Sequence, residues 1–148
     1  MPVVKGCPLP DELLYDVANQ LWYRELAEGV VEVGITAAAV GMVGHIIAAT
    51  PKRAGRALKQ GEACAVIEAG KLIGAAKIAF AALIVAGNED LLDRPQALNT
   101  DPYGAGWLVR VRPEQWPPAK AALTPGTAVA EPYRLKMQEE GFDGCEGP

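Results

Sequence analysis

The chain has 148 residues with 14 Lys and Arg against 18 Asp and Glu, a net charge of -4, and half of its residues are hydrophobic while only 6% are aromatic. A chain of this size can bury a single core on its own, and its acidic balance excludes the basic field that non-specific nucleic-acid binding requires. With 25 alanines the core must be built from small aliphatic side chains, and no apolar run reaches the roughly 18 residues of a membrane-spanning helix.

Residues 1–10 hold three prolines and a glycine and read as an extended arm. Lys5 is followed by prolines and acids rather than by an apolar segment, so no secretory leader is expected and the cytoplasm is the expected address. Leu13, Leu14 and Val17 stand at helical spacing, which predicts a short helix over 11–20. Leu21 to Leu26 and Val30 to Ile35 then read as a hairpin about Glu28 and Gly29, with Val31, Val33 and Ile35 alternating. Thr36 is a candidate cap for a helix over 37–42 that Gly44 stops, and His45 to Ala49 reads as a further strand. Thr50 to Arg56 is a basic loop containing Lys52, Arg53 and Arg56.

Glu62 to Glu68 reads as a strand of small residues, Ala69, Gly70 and Lys71 as a turn, and the stretch from Leu72 through Gly74 to Gly87 as a second apolar run. The alanine-rich stretch around 75–82 also admits a helix, because periodicity cannot arbitrate in a uniformly apolar run. Residues 88–99 predict short helical turns, 101–106 a loop, and Trp107 to Val111 a closing strand. From Pro113 the pattern is helical, with breaks expected at Pro117, Pro118, Pro125 and Gly126, and 143–148 reads as a loose acidic tail. Repeated short strands divided by glycine turns predict a mainly β fold, a flattened barrel or sandwich with short peripheral and C-terminal helices. It divides into an N-terminal arm and short helix (1–20), a core (21–112), and a C-terminal helical extension with its tail (113–148).

The position best suited to chemistry is Lys71, because a lysine on a tight turn between two strands projects its amine away from the body and can be acylated. Spacing alone does not separate this from an ordinary surface lysine. Cys7, Cys64 and Cys145 are odd in number and form no CxxC pair. Reduced thiols are therefore expected, and no metal site. Cys64 reads as a buried core thiol and Trp107 as core filling. His45, the only histidine, has no evident partner for catalysis.

Over residues 20–112 the chain resembles the H protein of the glycine cleavage system and related lipoyl carriers. The resemblance lies in VGIT at Val33 to Thr36, GEACAVIE at Gly61 to Glu68, Lys71, and the long segment from Ala86 to Val111 that contains NE, DPYG and GWL. It implies a lipoyl-domain fold with no catalytic residues of its own and lipoic acid in amide linkage on Lys71. Glu68 would then serve ligase recognition, while Gly70 and Gly74 would leave room around the tether. Gly70 before the lysine, the apolar LIGAAKIAFAA after it and the TPKRAGR loop depart from the H-protein pattern. They are similar to the lipoate-binding proteins (LbpA) of the heterodisulfide-reductase-like system of sulfur oxidisers. That similarity implies a carrier of sulfur intermediates, with a lipoate-protein ligase or lipoyl synthase and a heterodisulfide-reductase-like complex as partners. A glycine-cleavage carrier of an aminomethyl group is the alternative. Cys7 and Cys145, placed by sequence in mobile ends, are candidates for thiol exchange with lipoyl sulfur or with each other.

Overall fold

The computed structural model describes residues 3–70 and 72–145. In chain order the strands and helices are β1 (Val3–Val4), β2 (Cys7–Pro8), β3 (Leu14–Asp16), β4 (Leu21–Glu25), β5 (Val31–Ile35), α1 (Ala37–Val43), β6 (Ala48–Pro51), β7 (Ala57–Leu58), β8 (Ala63–Ala69), β9 (Leu72–Lys77) and β10 (Ala82–Gly87). They continue with α2 (Asp90–Asp93), α3 (Ala97–Thr100), β11 (Val109–Pro113), α4 (Trp116–Ala121), β12 (Thr124–Pro125) and α5 (Ala130–Glu139).

Every described strand pairing is antiparallel, in a seven-stranded sheet of order β12-β3-β4-β5-β11-β10-β7, a three-stranded sheet β6-β8-β9 and the small hairpin β1-β2. The two larger sheets face each other as a flattened sandwich. Tyr23, Val33, Ile84 and Val111 of one meet Ala49, Ala65, Ala69 and Ala76 of the other in one buried cluster. The expected mainly β architecture is therefore the observed one, and its small side chains allow the second sheet to lie close.

A second cluster gathers residues from both ends of the chain: Cys7, Leu9, Leu13 and Tyr15 pack with Trp22, Ala38, Val129, Tyr133 and Met137. Here the helix expected over 11–20 is corrected to the strand β3. Leu13 and Tyr15 are buried and alternate with half-buried Leu14 and Asp16, so the period is two, not 3.6. Pairing with β4 on one side and β12 on the other supplies hydrogen bonds that a ten-residue isolated helix would have to find alone.

Three further differences are local. The apolar run from Leu72 to Gly87 is two strands in different sheets, and the helical alternative over 75–82 is excluded. The crossing between them is held by the Ala79 N–H, which donates to the buried Tyr23 hydroxyl at 3.0 Å. The break expected at Pro117 and Pro118 is instead the first turn of α4, where a missing N–H costs nothing. The strand expected at 45–49 begins later, as β6, and leaves His45 exposed.

Candidate functional site

β8 and β9 form a hairpin whose last described pair is Ala69↔Leu72, so Gly70 and Lys71 link them. Lys71 itself lies outside the described residues. Its neighbours define the surroundings. Gly70 has φ +58°, the left-handed region that favours glycine, and a Cβ built there would meet no heavy atom within 4 Å; the same open space surrounds Gly74. Leu72 is 56% exposed and Ile73 71%, which for large apolar side chains marks a hairpin tip standing clear of both cores.

Glu68 points to the outer face of the three-stranded sheet, opposite Ile73 and Ala48, since Ile67 and Ala69 on either side of it face inward. Its carboxylate makes no hydrogen bond or ion pair among the described residues. The inward side of the hairpin opens onto a recess of about 130 Å³, walled by Ala69, Leu72 and Gly74 on one side and by Gln20, Ala39 and Val43 on the other. Leucine, isoleucine, valine and alanine side chains make up most of the wall, Asn19 and Gln20 supply its polar groups, and among the described residues no carboxylate or basic side chain lines it. The far wall is sequence-remote. Gln20 precedes β4, and Ala39 and Val43 belong to α1, which Thr36 caps by accepting from the Ala39 N–H at 3.1 Å. Ile35 of the VGIT segment and Ile67 of GEACAVIE also line the recess, whereas Asn19, Gln20 and Leu21 belong to no motif.

The wall is braced from behind. The Gln20 amide oxygen accepts from the Tyr133 hydroxyl at 2.9 Å, and that hydroxyl also meets the Thr36 hydroxyl. Tyr103 of the DPYG segment accepts from the Ala37 N–H at 2.9 Å and donates to the Pro8 carbonyl at 2.6 Å, joining the first turn of α1 to the N-terminal arm. Asn88, fully enclosed, donates to the carbonyls of Ala105 and Trp107, which holds the DPYG and GWL segments in place. Of these segments, DPYG thus reaches the base of α1, the helix whose Ala39 and Val43 wall the recess.

The basic loop sits elsewhere. Pro51 pairs with Ala65 while Ala48 pairs with Glu68, so Lys52, Arg53 and Arg56 lie at the end of the sheet away from the hairpin tip, roughly 15 Å along the strands. Trp107 is half-buried against the second cluster with the Arg110 guanidinium 4.1 Å from its ring centroid. Cys64 is buried as expected, and burial pushes its thiol up to about 12. The native chain should therefore leave Cys64 unalkylated by iodoacetamide at pH 8 and expose it only on unfolding. Because the folded state keeps the proton that the unfolded thiol loses, this group lowers stability as pH rises from the ordinary thiol range toward that value. Labelling of Cys64 in the native state at pH 8 would contradict the burial.

Cys7 and Cys145 depart from expectation. They are joined as a disulfide, with Cα atoms 5.0 Å apart, and Cys7 is fully buried, so neither lies in a mobile end as a reduced thiol. The two are 138 residues apart in sequence, and only folding brings them together. Among the described residues no cluster of His, Cys, Asp and Glu could hold a metal, and no helix is long and apolar enough to cross a membrane.

The glycine cleavage H-protein family model matches residues 13–135. The glycine cleavage system H protein 5 of Aquifex aeolicus is 38% identical over 95% of this chain and 97% of its own length. The H protein of Halorhodospira halophila is 36% identical over 90% and 98% respectively. A probable H protein 2 of Sulfurisphaera tokodaii is 32% identical over 95% and 96%. Among solved structures, an H protein from Mycobacterium marinum superposes with a TM-score of 0.71 at 29% identity, covering 90% of this chain and 99% of that one.

Proposed function

The chain belongs to the glycine cleavage H-protein family, whose members are non-catalytic carriers with lipoic acid covalently attached to a lysine, and from that premise we propose that Lys71 is the attachment point here and that the cargo is sulfur. The surroundings fit the group. Open space around a Cβ built at Gly70 admits a modifying enzyme, and Gly74 leaves the hairpin's inner edge open beside an apolar recess. When bound, lipoate supplies a five-membered cyclic disulfide that cannot reach the relaxed disulfide dihedral and so is readily opened by sulfur nucleophiles.

The chain's own residues do three things. The β8–β9 hairpin gives the tether a rigid base, so that successive encounters occur at an effective concentration set by reach. Glu68 presents a carboxylate on the outer face for the lipoate-protein ligase or lipoyl synthase to recognise. Ala39, Val43, Leu72 and the Gln20 amide form a wall that shields a compact apolar group from water.

The observation that carries the sulfur reading is that, among the described residues, no carboxylate lines that wall. An aminomethyl group brings an amine that is protonated near neutrality, and an apolar recess offers it no counter-charge. A neutral sulfur group suits these walls, and the cationic loop Lys52, Arg53 and Arg56 suits an acidic partner surface at the other end of the sheet. We place the chain with the LbpA proteins on these grounds, in the cytoplasm, serving a heterodisulfide-reductase-like complex. The glycine-cleavage reading has its own support in the names of the relatives, which are H proteins of that system. The two part in a direct comparison. The lipoylated chain is offered to the glycine decarboxylation reaction and, separately, to a sulfane-sulfur donor, and its intact mass is followed. Sulfur loading without aminomethyl loading is expected; sustained glycine turnover would defeat the sulfur reading.

A further inference from the structure

The bridge between Cys7 and Cys145 is not used by the carrier function, and its surroundings are built for it. The Cys145 N–H donates to the Lys5 carbonyl at 2.9 Å. A Cβ at Gly6 would lie 2.6 Å from the Cys145 carbonyl oxygen, and one at Gly144 would lie 2.3 Å from the Lys5 carbonyl oxygen. Two glycines, both at positive φ, thus let the terminal segments approach backbone to backbone. The two cysteines differ in burial. Cys7 is wholly buried, whereas Cys145 is half-buried and lines a broad surface depression with Gly6, Gly41, Asp101 and Phe142.

The bridge also bears on α1. The Cys145 sulfur lies 3.5 Å from the Ala37 carbonyl oxygen, and a Cβ at Gly41 would meet that sulfur at 3.3 Å and the Phe142 ring at 2.7 Å. On another face of the same seven-residue helix, Ala39 and Val43 wall the recess beside the hairpin. One short helix therefore touches the disulfide on one side and the recess on the other.

We infer that Cys7–Cys145 is a redox clasp, opened by a dithiol that enters at the Cys145 sulfur, and that opening it loosens the terminal segments and α1. One thiolate of the dithiol attacks Cys145 Sγ, a new S–S bond forms, and the Cys7–Cys145 bond breaks with Cys7 leaving as a thiolate that takes up a proton. The second thiol then attacks the reagent's own sulfur in the mixed disulfide, closes a ring and releases Cys145 as a thiol. The bridge gains two electrons and two protons, and the dithiol becomes a cyclic disulfide. The freed Cys145 thiol can donate to the Ala37 carbonyl it already faces.

The rest of the fold survives this opening, because the buried members of the main cluster all lie between Leu21 and Leu123 and none is a terminal residue. A half-buried cysteine that lines a surface depression beside a seven-residue helix is where such a bridge can open locally while the rest of the fold stays closed. The effect on the recess rests on the carrier reading above; the clasp itself does not.

The test uses the full, unlipoylated chain, so its outcome is independent of Lys71. The native protein is equilibrated with graded dithiothreitol, alkylated and mapped, and hydrogen exchange is measured in both states. Labelling of Cys7 and Cys145 but not Cys64 is expected, with strand signals of β5 and β11 unchanged and protection over 37–43 falling roughly tenfold or more. The double variant Cys7→Ser/Cys145→Ser should reproduce the loosened α1 without any reductant. A bridge that reduces only in denaturant, a reduced chain that unfolds as a whole, or unaltered exchange in α1 would each overturn the proposal.

Discussion

Substituting Lys71→Arg removes lipoylation completely, while thermal unfolding and the far-ultraviolet spectrum stay as in the parent chain. Arginine keeps the charge and the length, but its guanidinium is not acylated under conditions that acylate an amine. The neighbourhood makes the substitution structurally silent: Gly70 and Gly74 have no heavy atom within 4 Å of a built Cβ, and Leu72 and Ile73 are largely in solvent. Intact mass after coexpression with a lipoate-protein ligase gives the answer. Lys77, at the far end of β9, is the nearest rival in sequence, and a lipoyl increment that persists in the variant and maps there would remove the hairpin tip from its assigned role.

Substituting Gly34→Ala lowers stability by about 3 kcal/mol, at the upper end of the cost of overpacking a well-filled core. Trp22 pairs with Gly34 across β4 and β5 and lays its ring over the glycine. A Cβ there would fall 2.4 Å from two ring carbons and 2.6 Å from Nε1. The ring cannot step aside. Its Nε1 donates to the Pro102 carbonyl at 3.0 Å, the Arg24 guanidinium lies 4.8 Å from its centroid, and the Tyr103 ring packs at 6.0 Å. For a chain of this length the loss corresponds to a fall in Tm of roughly 6–12 °C. Gly74→Ala, a substitution into open space, serves as the comparison and should stay within about 0.5 kcal/mol of the parent. Equal stabilities for the two variants would show that the Trp22 contact is not as tight as described.

The Gly34 contact also explains what a reading of residues alone can and cannot reach. The VGIT segment is visible as a motif, but its work is structural: Val33 fills the core, Gly34 admits Trp22, and Thr36 caps α1. The β8–β9 hairpin was legible because its signals are local, a run of strand formers, then a glycine and a lysine, then a second run. The capped helix α1 was legible for the same reason. β3 was not, because what decides between helix and strand at 13–16 is the presence of β4 and β12 as partners, one of them more than a hundred residues away. The end of β9 was hidden likewise, since the chain leaves that sheet where the Tyr23 hydroxyl receives the Ala79 N–H. The recess mixes residues from the turn before β4, from α1 and from β9, and no spacing in one dimension marks such a set. Cys7 and Cys145 are the extreme instance: their pairing depends on two glycines and a helix that bring opposite ends of the chain to one place.

That same bond alters the topology of the polymer itself. Between Cys7 and Cys145 the backbone is closed into a covalent loop, so a single peptide cut in an exposed stretch such as 53–56 opens the loop without separating two pieces. A nicked molecule keeps every strand tethered to every other, and the entropy of its denatured ensemble stays restricted as in an uncut linear chain. Proteolytic damage at one point on the surface is therefore survivable while the sulfurs remain joined, and becomes scission into fragments once they part.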